Sequence, residues 1–228
     1  VLATHLMASS KKGMSAHQLH RMLGVTYKTA WFMSHRIREA MRSYDTAKVG
    51  GGGGMVEVDE TFLGKKKGQK VRYGYEHKYK VLSLVDRETG KARSIVMDKL
   101  NTKTVGETVR QNIAKEAKLM TDEARHYVLV GREYADHQVV RHSVGEYGRG
   151  EFHTNTIEGY FSVFKKGMRG VYQHCAEKHL HRYLAEFDFR YNERAALNVS
   201  DVERAERALK GIVGRRLTYE TAPKREAS

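Results

Sequence analysis

The sequence has almost no cysteine or proline and no long apolar run. Its 228 residues include one cysteine, Cys175, and one proline, Pro223. A lone cysteine excludes an intrachain disulfide and removes the ligand pairs of a cysteine-based zinc site, so a required metal ion is expected to have oxygen ligands. The sequence contains no run of about 18 apolar residues, which is the length needed to span a bilayer, and no signal-peptide core. The sequence therefore predicts a folded cytoplasmic protein with no membrane partner.

The charge of the chain is strongly positive. There are 41 lysines and arginines against 27 aspartates and glutamates, a formal net charge of +14. An excess of this size favours a polyanionic partner. Since a membrane partner is not expected, the composition predicts a nucleic acid.

The first 44 residues have apolar positions at helical spacing. Ser15 is expected to cap one helix, Gly24 to end it, and Thr26 to cap a second helix that runs to Arg42. Residues 15–31 therefore resemble a helix-turn-helix. The exposed side of this unit is predicted to carry basic residues suited to phosphate contact, namely Lys28, His35, Arg36 and Arg38. The alternative is a helical hairpin with a solvated basic face.

Five consecutive glycines, Gly50–Gly54, interrupt the pattern. Such a run is too flexible for the interior of a helix or strand, so it predicts a linker. A phosphate-binding P-loop is the alternative, but its Lys-Ser/Thr pair is missing. The predicted organisation is a DNA-binding helical segment (1–49), a linker (50–54), an α/β domain (55–194), and a C-terminal helix and tail (195–228).

The sequence after the glycines alternates at strand spacing and then at helical spacing. Strands are expected at 56–62, 80–86 and 92–98, with turn residues at 86–90 joining the last two. The later elements are expected to be a helix at 102–117, a short strand at 118–121, a strand at 139–144, and helices at 154–168, 176–193 and 199–211. This order matches an RNase H-like α/β fold, a mixed five-stranded sheet with flanking helices.

Three acidic residues lie at sites where the predicted elements can bring them together. Asp59 lies in the first strand, Asp122 follows the fourth, and Glu158 lies on a helix. The buried stripe of that helix is predicted to be Ile157, Phe161, Phe164 and Met168. Phosphoryl transfer needs an activated hydroxyl, a stabilised leaving oxygen and neutralised phosphate charge, which divalent cations held by converging carboxylates supply.

The spacing of these acids resembles a known family. Residues 123–157, 35 positions, separate Asp122 from Glu158, and Lys165 lies seven residues further on. Seven residues make almost two helical turns, so Lys165 and Glu158 share a face. This is the Asp…Asp(35)Glu arrangement of DDE transposases and retroviral integrases. Four further segments resemble bacterial insertion-sequence transposases related to Merlin elements, the group with ISXO2-like transposase domains: residues 56–62, 142–147, 153–159 and 186–194.

The resemblance implies a DNA transposase that cuts element ends and joins them to target DNA. It assigns Asp59, Asp122 and Glu158 as catalytic residues and as ligands of two Mg²⁺ or Mn²⁺ ions on an RNase H-like fold. Partners would be the terminal inverted repeats, target DNA, and further copies of the chain assembled on DNA. Some members of the group have Asn as the third residue, and Asn155 lies one turn before Glu158. We favour Glu158, because a carboxylate binds a hard cation better than an amide.

Several further residues are candidates for supporting the site or for binding DNA. His142, His153, Asn155 and Lys165 are expected to support the carboxylates. A lysine-rich loop follows the first strand directly, which suits contact with the DNA backbone. The predicted DNA-binding residues are Lys28, Arg36, Arg38, Lys65, Lys66, Lys67, Lys70, Lys166 and Arg169.

Each acid also has an ordinary structural explanation. Asp59 could be a surface acid on an edge strand, Asp122 a helix N-cap, and Glu158 a salt-bridge partner of Lys165 or Arg169. Two rival functions follow. One is an inactive transposase that only binds DNA, and the other is an RNase H-like nuclease of a different kind.

Overall fold

The computed structural model describes residues 1–71, 74–140 and 152–215. Its centre is one sheet with the strand order β3–β2–β1–β4–β5. The strands are β1 (Met55–Leu63), β2 (Tyr79–Asp86), β3 (Lys91–Met97), β4 (Lys118–Asp122) and β5 (Asp136–Val140). The first three form an antiparallel meander, and β4 and β5 run parallel to β1. This mixed sheet has the order of the RNase H-like fold, as the sequence predicts.

Eight helices accompany the sheet within the described residues. They are α1 (Leu2–Ser9), α2 (Ala16–Leu23), α3 (Tyr27–Ala40), α4 (Thr102–Asn112), α5 (Tyr127–Gly131), α6 (Asn155–Gly167), α7 (Glu177–Asn192) and α8 (Asp201–Lys210). None of the helices in this part of the chain is long and apolar enough to cross a membrane.

The two faces of the sheet are covered by different helices. Val56 and Val58 of β1 point toward α4 and α5, where they join a buried cluster with Val109 and Tyr127. Val81 of β2 points the other way, into a cluster formed with α6 and α7. Because side chains alternate along a strand, β1, β2 and β3 each contribute to both cores. The result is a sheet between two helical layers.

The N-terminal helices and α8 form a separate helical layer. Met7, Leu19 and Ile37 of α1, α2 and α3 bury their side chains together with Ala205 and Ala208 of α8. Ser15 and Thr26 accept hydrogen bonds from backbone amides of α2 and α3, as predicted, and Gly24 ends α2 with a left-handed φ of 64°. The two ends of the described chain are therefore packed together.

Several predicted boundaries are wrong in detail. Helix α4 ends at Asn112 and not near residue 117, because Ile113 becomes extended and pairs with Val49. Helix α3 ends at Ala40 and not at Arg42. The sequence does not predict helix α5, because the segment 127–130 has strand-like composition. Tyr127 and Val130 lie three residues apart and are both buried, which is helical spacing. Strand β5 begins at Asp136, before the predicted start, and residues 141–144 lie outside the described residues.

The glycine run forms a defined turn that is packed at Gly50, so its interpretation as a flexible linker is wrong. Gly51–Gly53 form a 3₁₀ turn, and the buried Gly50 donates its N–H to Asp86 Oδ2 at 3.2 Å. Gly50 has a φ of +75°, and a Cβ there would lie 2.6 Å from side-chain atoms of Val56 and Ala117. Glycine is required at this position by backbone conformation and by space. The proposed boundary between helical segment and α/β domain stays a prediction.

We expect Gly50→Ala to lower the free energy of unfolding by about 2–4 kcal/mol, since it combines an unfavourable φ with overpacking. Gly51→Ala is the matched control, because a Cβ at Gly51 would meet no described atom within 4 Å. It should change stability by less than about 0.5 kcal/mol. Urea unfolding of both variants measures the difference, and equal stabilities would contradict the packing described.

Candidate active site

Asp59 lies on the central strand of the sheet, next to Asp122. The parallel register pairs Val58 of β1 with Thr121 of β4, so the following residues, Asp59 and Asp122, are neighbours across the two strands. Glu57, which shares a face with Asp59, accepts a hydrogen bond from α6. Both aspartates therefore lie on the α6 side of the sheet. Because β1 is central, the alternative that Asp59 is an edge-strand surface acid is wrong.

Glu158 lies in the first turn of α6, where its Oε1 accepts a hydrogen bond from Thr154 Oγ1 at 3.1 Å. Burial raises the pKa of Asp59 to about 8, with further contributions from the carboxylates of Glu60, Asp122 and Glu158. Asp122 and Glu158 can raise this pKa only if they lie within electrostatic reach of Asp59. The three predicted acids thus share one electrostatic neighbourhood.

Asp122 ends β4 and does not cap a helix. Its Oδ1 accepts a hydrogen bond from the Ala124 amide at 3.0 Å, which forms a local turn after the strand. Helix α5 begins later, at Tyr127, with His126 as its N-cap. The alternative interpretation of Asp122 as a helix N-cap is therefore wrong.

Glu60, which the sequence did not single out, contributes charge from the opposite face of β1. Burial would raise its pKa, but hydrogen bonds from His126 and Tyr127 outweigh burial and lower it. The Tyr127 hydroxyl donates to Glu60 Oε2 at 2.6 Å. Glu60 therefore stays ionised and opposes ionisation of its neighbour Asp59.

The donor chemistry of the site fits a hard divalent cation, although a complete binding group is not assembled. Across residues 1–71, 74–140 and 152–215, no three His, Cys, Asp or Glu side chains are grouped to hold a metal ion. The oxygen donors of Asp59, Asp122 and Glu158 are nevertheless those that Mg²⁺ prefers. The carboxylates near Asp59 repel its charge, and a cation would relieve that repulsion. The expected two-ion arrangement stays a prediction.

Beside the aspartates, a buried network joins β1 to the start of α6. Glu57 has no exposed surface, and its Oε1 accepts a hydrogen bond from Arg87 Nε at 2.6 Å. Arg87 Nη2 also donates to the carbonyl oxygen of His153 at 2.6 Å. Of the predicted supporting residues, His153 thus lies next to the site, whereas His142 lies outside the described residues. Sequence reasoning missed Arg87, since nothing in its spacing relates it to Glu57.

The remaining supporting residues lie on α6. Asn155 is exposed at the first helical position, one turn before the exposed Glu158. Lys165 is partly buried, with its Nζ 5.7 Å from the centroid of the Phe161 ring. The predicted stripe of Ile157, Phe161, Phe164 and Met168 is buried as expected.

Most of the predicted DNA-binding residues are at the surface. Lys66 is ion-paired with Glu177 at 2.8 Å. The exposed ones are Lys28, Arg36, Lys65, Lys67, Lys70, Lys166 and Arg169.

The prediction that Arg38 and His35 lie on an exposed face of α3 is wrong. Arg38 is 2% exposed and His35 is 1% exposed. Arg38 Nε donates to the buried Glu186 at 2.7 Å, and its guanidinium lies over the ring of Tyr183. The physical reason is that α3 packs against α7, which places His35 and Arg38 in the interface and leaves Arg36 outside it. Arg38 is therefore a structural residue and not a surface contact.

The family model of the ISXO2-like transposase domain matches residues 52–192, which is more than half of the chain. The chain belongs to this family. The match covers β1, β4 and α6 and so includes the three acids of the candidate site. The family that the sequence resemblance predicts is thereby confirmed.

Among solved structures, the chain is similar to one from the simian T-cell lymphotropic virus intasome in complex with the PP2A regulatory subunit B56 gamma, determined by cryo-EM. The alignment covers 99% of this chain and 78% of that chain, with 12% sequence identity and a TM-score of 0.40. A TM-score of this size does not establish a common fold. No curated protein matches this chain.

The raised pKa of Asp59 predicts a dependence of stability on pH. A carboxyl whose pKa rises on folding contributes full stability below its unfolded pKa, and this stability is lost as pH rises toward about 8. In EDTA, Asp59→Asn should therefore raise the melting temperature by roughly 3–8 °C at pH 9 and by much less at pH 4.

The control for this experiment is Asp98→Asn, since Asp98 is an exposed acid just after β3. It should shift the melting temperature by less than about 2 °C at either pH. Thermal unfolding monitored by circular dichroism from pH 4 to pH 9 gives both curves. Parallel curves for wild type and Asp59→Asn would contradict the electrostatic environment described.

Proposed function

We propose that this chain is a metal-dependent DNA transposase. It hydrolyses the phosphodiester bond at the ends of its element and joins the freed 3′-hydroxyl to target DNA. The observation that carries the proposal is the electrostatic coupling of Asp59, Asp122 and Glu158 within an ISXO2-like transposase domain. Clustered carboxylates with a perturbed pKa are typical of functional sites, because such repulsion is unfavourable for the fold alone.

Asp59, Asp122 and Glu158 are the proposed ligands of Mg²⁺ or Mn²⁺. When bound, two such ions supply charge neutralisation for the attacking, leaving and non-bridging phosphate oxygens. Asp59 and Asp122 are held by adjacent parallel strands, which fixes one side of the site. Glu158 approaches from α6, so the position of that helix sets the third donor.

Glu158 is the better candidate than Asn155 for the third role. The Glu158 carboxylate lies within electrostatic reach of Asp59, and a carboxylate binds a hard cation better than an amide does. Asn155, one turn earlier, is proposed to contact substrate. Lys165, two turns beyond Glu158, is proposed to meet the DNA backbone beside the carboxylates.

The basic surface is proposed to bind the DNA backbone at three places. The first is the start of α3, where Lys28 is exposed and lies near the helix N-terminus that helix-turn-helix proteins present to DNA. The second is the lysine-rich loop that follows β1, and the third is the end of α6 with Lys166 and Arg169. Element ends, target DNA and further copies of the chain on DNA are the proposed partners.

Asp59→Asn and Asp122→Asn should each reduce end cleavage and strand transfer by at least about 1,000-fold, because a lost carboxylate removes several kcal/mol of charge stabilisation. DNA affinity should be unchanged or slightly higher, since a negative charge beside phosphate is removed. Oligonucleotides carrying the element ends, with Mg²⁺ or Mn²⁺, measure cleavage, and mobility shifts measure affinity.

Asp98→Asn is the control for cleavage and should retain full activity. Cleavage retained by either triad variant would refute the assignment of that residue. If the wild-type chain binds element ends but cleaves them with neither ion, it is a DNA-binding protein and not a transposase enzyme.

Glu158→Gln and Asn155→Ala separate the two candidates for the third residue. Glu158→Gln should abolish cleavage at every Mg²⁺ concentration, since an amide does not replace the charge of a ligand carboxylate. Asn155→Ala should retain a measurable rate, reduced by about 10–100-fold. A dead Asn155→Ala variant beside an active Glu158→Gln variant would transfer the role to Asn155.

A further inference from the structure

Glu57 lies where it can connect two members of the proposed triad. It precedes Asp59 by two residues on β1, and its Oε2 accepts a hydrogen bond from the Ile157 amide at 2.8 Å. Ile157 is the residue directly before Glu158. A single fully buried carboxylate therefore links the strand of one acid to the helix of another.

The bond to Ile157 satisfies a backbone amide in the first turn of α6 from outside the helix. The first amides of a helix have no partner within the helix and are commonly satisfied by the side chain of the N-cap residue. Helices α2, α3, α4 and α8 follow this pattern, with local caps from Ser15, Thr26, Asn101 and Ser200.

In α6, by contrast, the N-cap residue Thr154 donates its hydroxyl to Glu158. The Ile157 amide is satisfied by Glu57 from the sheet, and the Asn155 amide by His153 Nδ1 at 3.3 Å. A carboxylate at this helix end also interacts favourably with the helix dipole. The first turn of α6 is thus held to the sheet by a residue of β1, in addition to the apolar packing of the helix.

Arg87 completes the connection between the sheet and the segment before α6. Its backbone N–H donates to the Met55 carbonyl at 2.9 Å, which fixes Arg87 against β1. Its guanidinium donates to Glu57 Oε1, to the His153 carbonyl and to His153 Nδ1, at 2.6, 2.6 and 2.7 Å. A planar, multiply donating group can bridge in this way, whereas an ammonium cannot reach all three acceptors.

We propose that Glu57 and Arg87 are positioning residues that set the distance between Glu158 and the two aspartates. The inference rests on the proposed function, because it concerns how the same carboxylates bind divalent ions. Neither residue is assigned as a metal ligand. If the pair is loosened, the first turn of α6 loses its hydrogen bond to β1 while its apolar face stays packed on the sheet, and Glu158 moves relative to Asp59 with every donor still present. Residues that orient metal ligands typically change metal affinity by about 10–100-fold when they are replaced.

The test compares Glu57→Gln with Glu186→Gln. Both replace a buried carboxylate that is paired with arginine, one arginine for Glu57 and two for Glu186, but Glu186 lies at the interface of α3 and α7. We expect Glu57→Gln to raise the Kd for Mn²⁺, measured by calorimetry without DNA, by about tenfold. The Mg²⁺ concentration for half-maximal end cleavage should rise by a similar factor. Glu186→Gln should lower the melting temperature as much and leave both metal quantities unchanged.

Hydrogen exchange gives a readout that does not depend on activity. In Glu57→Gln, the amides of the first turn of α6 should exchange at least about tenfold faster, while those of α3 stay protected. In Glu186→Gln the pattern should be the reverse. Unchanged exchange at the start of α6 overturns the inference whether or not the wild-type chain cleaves DNA.

The two hypotheses fail differently. A wild-type chain that neither binds Mn²⁺ nor cleaves DNA refutes the proposed function, while faster exchange in Glu57→Gln would still support the attachment. An active wild type whose Glu57→Gln variant keeps its Mn²⁺ affinity refutes the positioning role alone.

Arg87→Lys is the second variant if Glu57→Gln does not fold, since it keeps the charge beside Glu57. It should lose the bond to His153 and show a smaller shift in Mn²⁺ affinity, and an unchanged affinity would contradict the proposal.

Discussion

The buried carboxylate of Glu186 holds the helical layer against the helices that cover the sheet. It accepts hydrogen bonds from Arg38 of α3 at 2.7 Å and from the Tyr172 hydroxyl at 2.6 Å, and it is ion-paired with Arg190. Burial raises the pKa of Glu186, but Arg190 and Arg38 outweigh it, so the pKa is lowered. Removing one partner from such a buried set leaves an uncompensated charge, which is strongly destabilising. The layers therefore separate only at a large cost in free energy.

The same network extends to the helix that carries Glu158. Helix α6 continues after Gly167 into a π-helical turn, Met168–Tyr172, and Tyr172 bonds to Glu186. At its other end, α6 is attached to Glu57 of β1. Glu57 thus fixes the end of α6 that carries Glu158, whereas Glu186 contacts the segment only at Tyr172, beyond the opposite end of the helix. A helix fixed at its first turn can present Glu158 at a defined place, as the proposed role of this residue as a cation ligand requires.

The sequence predicted the sheet well because the sheet depends on local signals. Alternation in β1, β2 and β3 and the turn at 86–90 are properties of neighbouring residues, and the order of the elements along the chain predicts the mixed five-stranded sheet. Arg38 was misassigned because its partner, Glu186, is 148 positions away, and a basic residue beside Ile37 has the same local pattern whether it faces solvent or a buried acid. The interpretation of the glycine run as a flexible linker was wrong for a similar reason. Composition indicates flexibility, whereas the packing of Gly50 depends on Ala117, which only the fold brings near.

The acids of the site are electrostatically unfavourable for folding, because burial and neighbouring carboxylates both oppose the ionisation of Asp59. Glu60 is kept ionised by Tyr127 and His126 on one face of β1, and it raises the pKa of Asp59 on the other. The sheet is too thin to shield these charges from each other, so negative potential from both faces acts at Asp59. A fold selected only for stability would place an apolar or neutral residue at this central position. A cation bound on the α6 side, as proposed, would reduce this repulsion and would allow the phosphate groups of DNA to approach carboxylates that otherwise repel them.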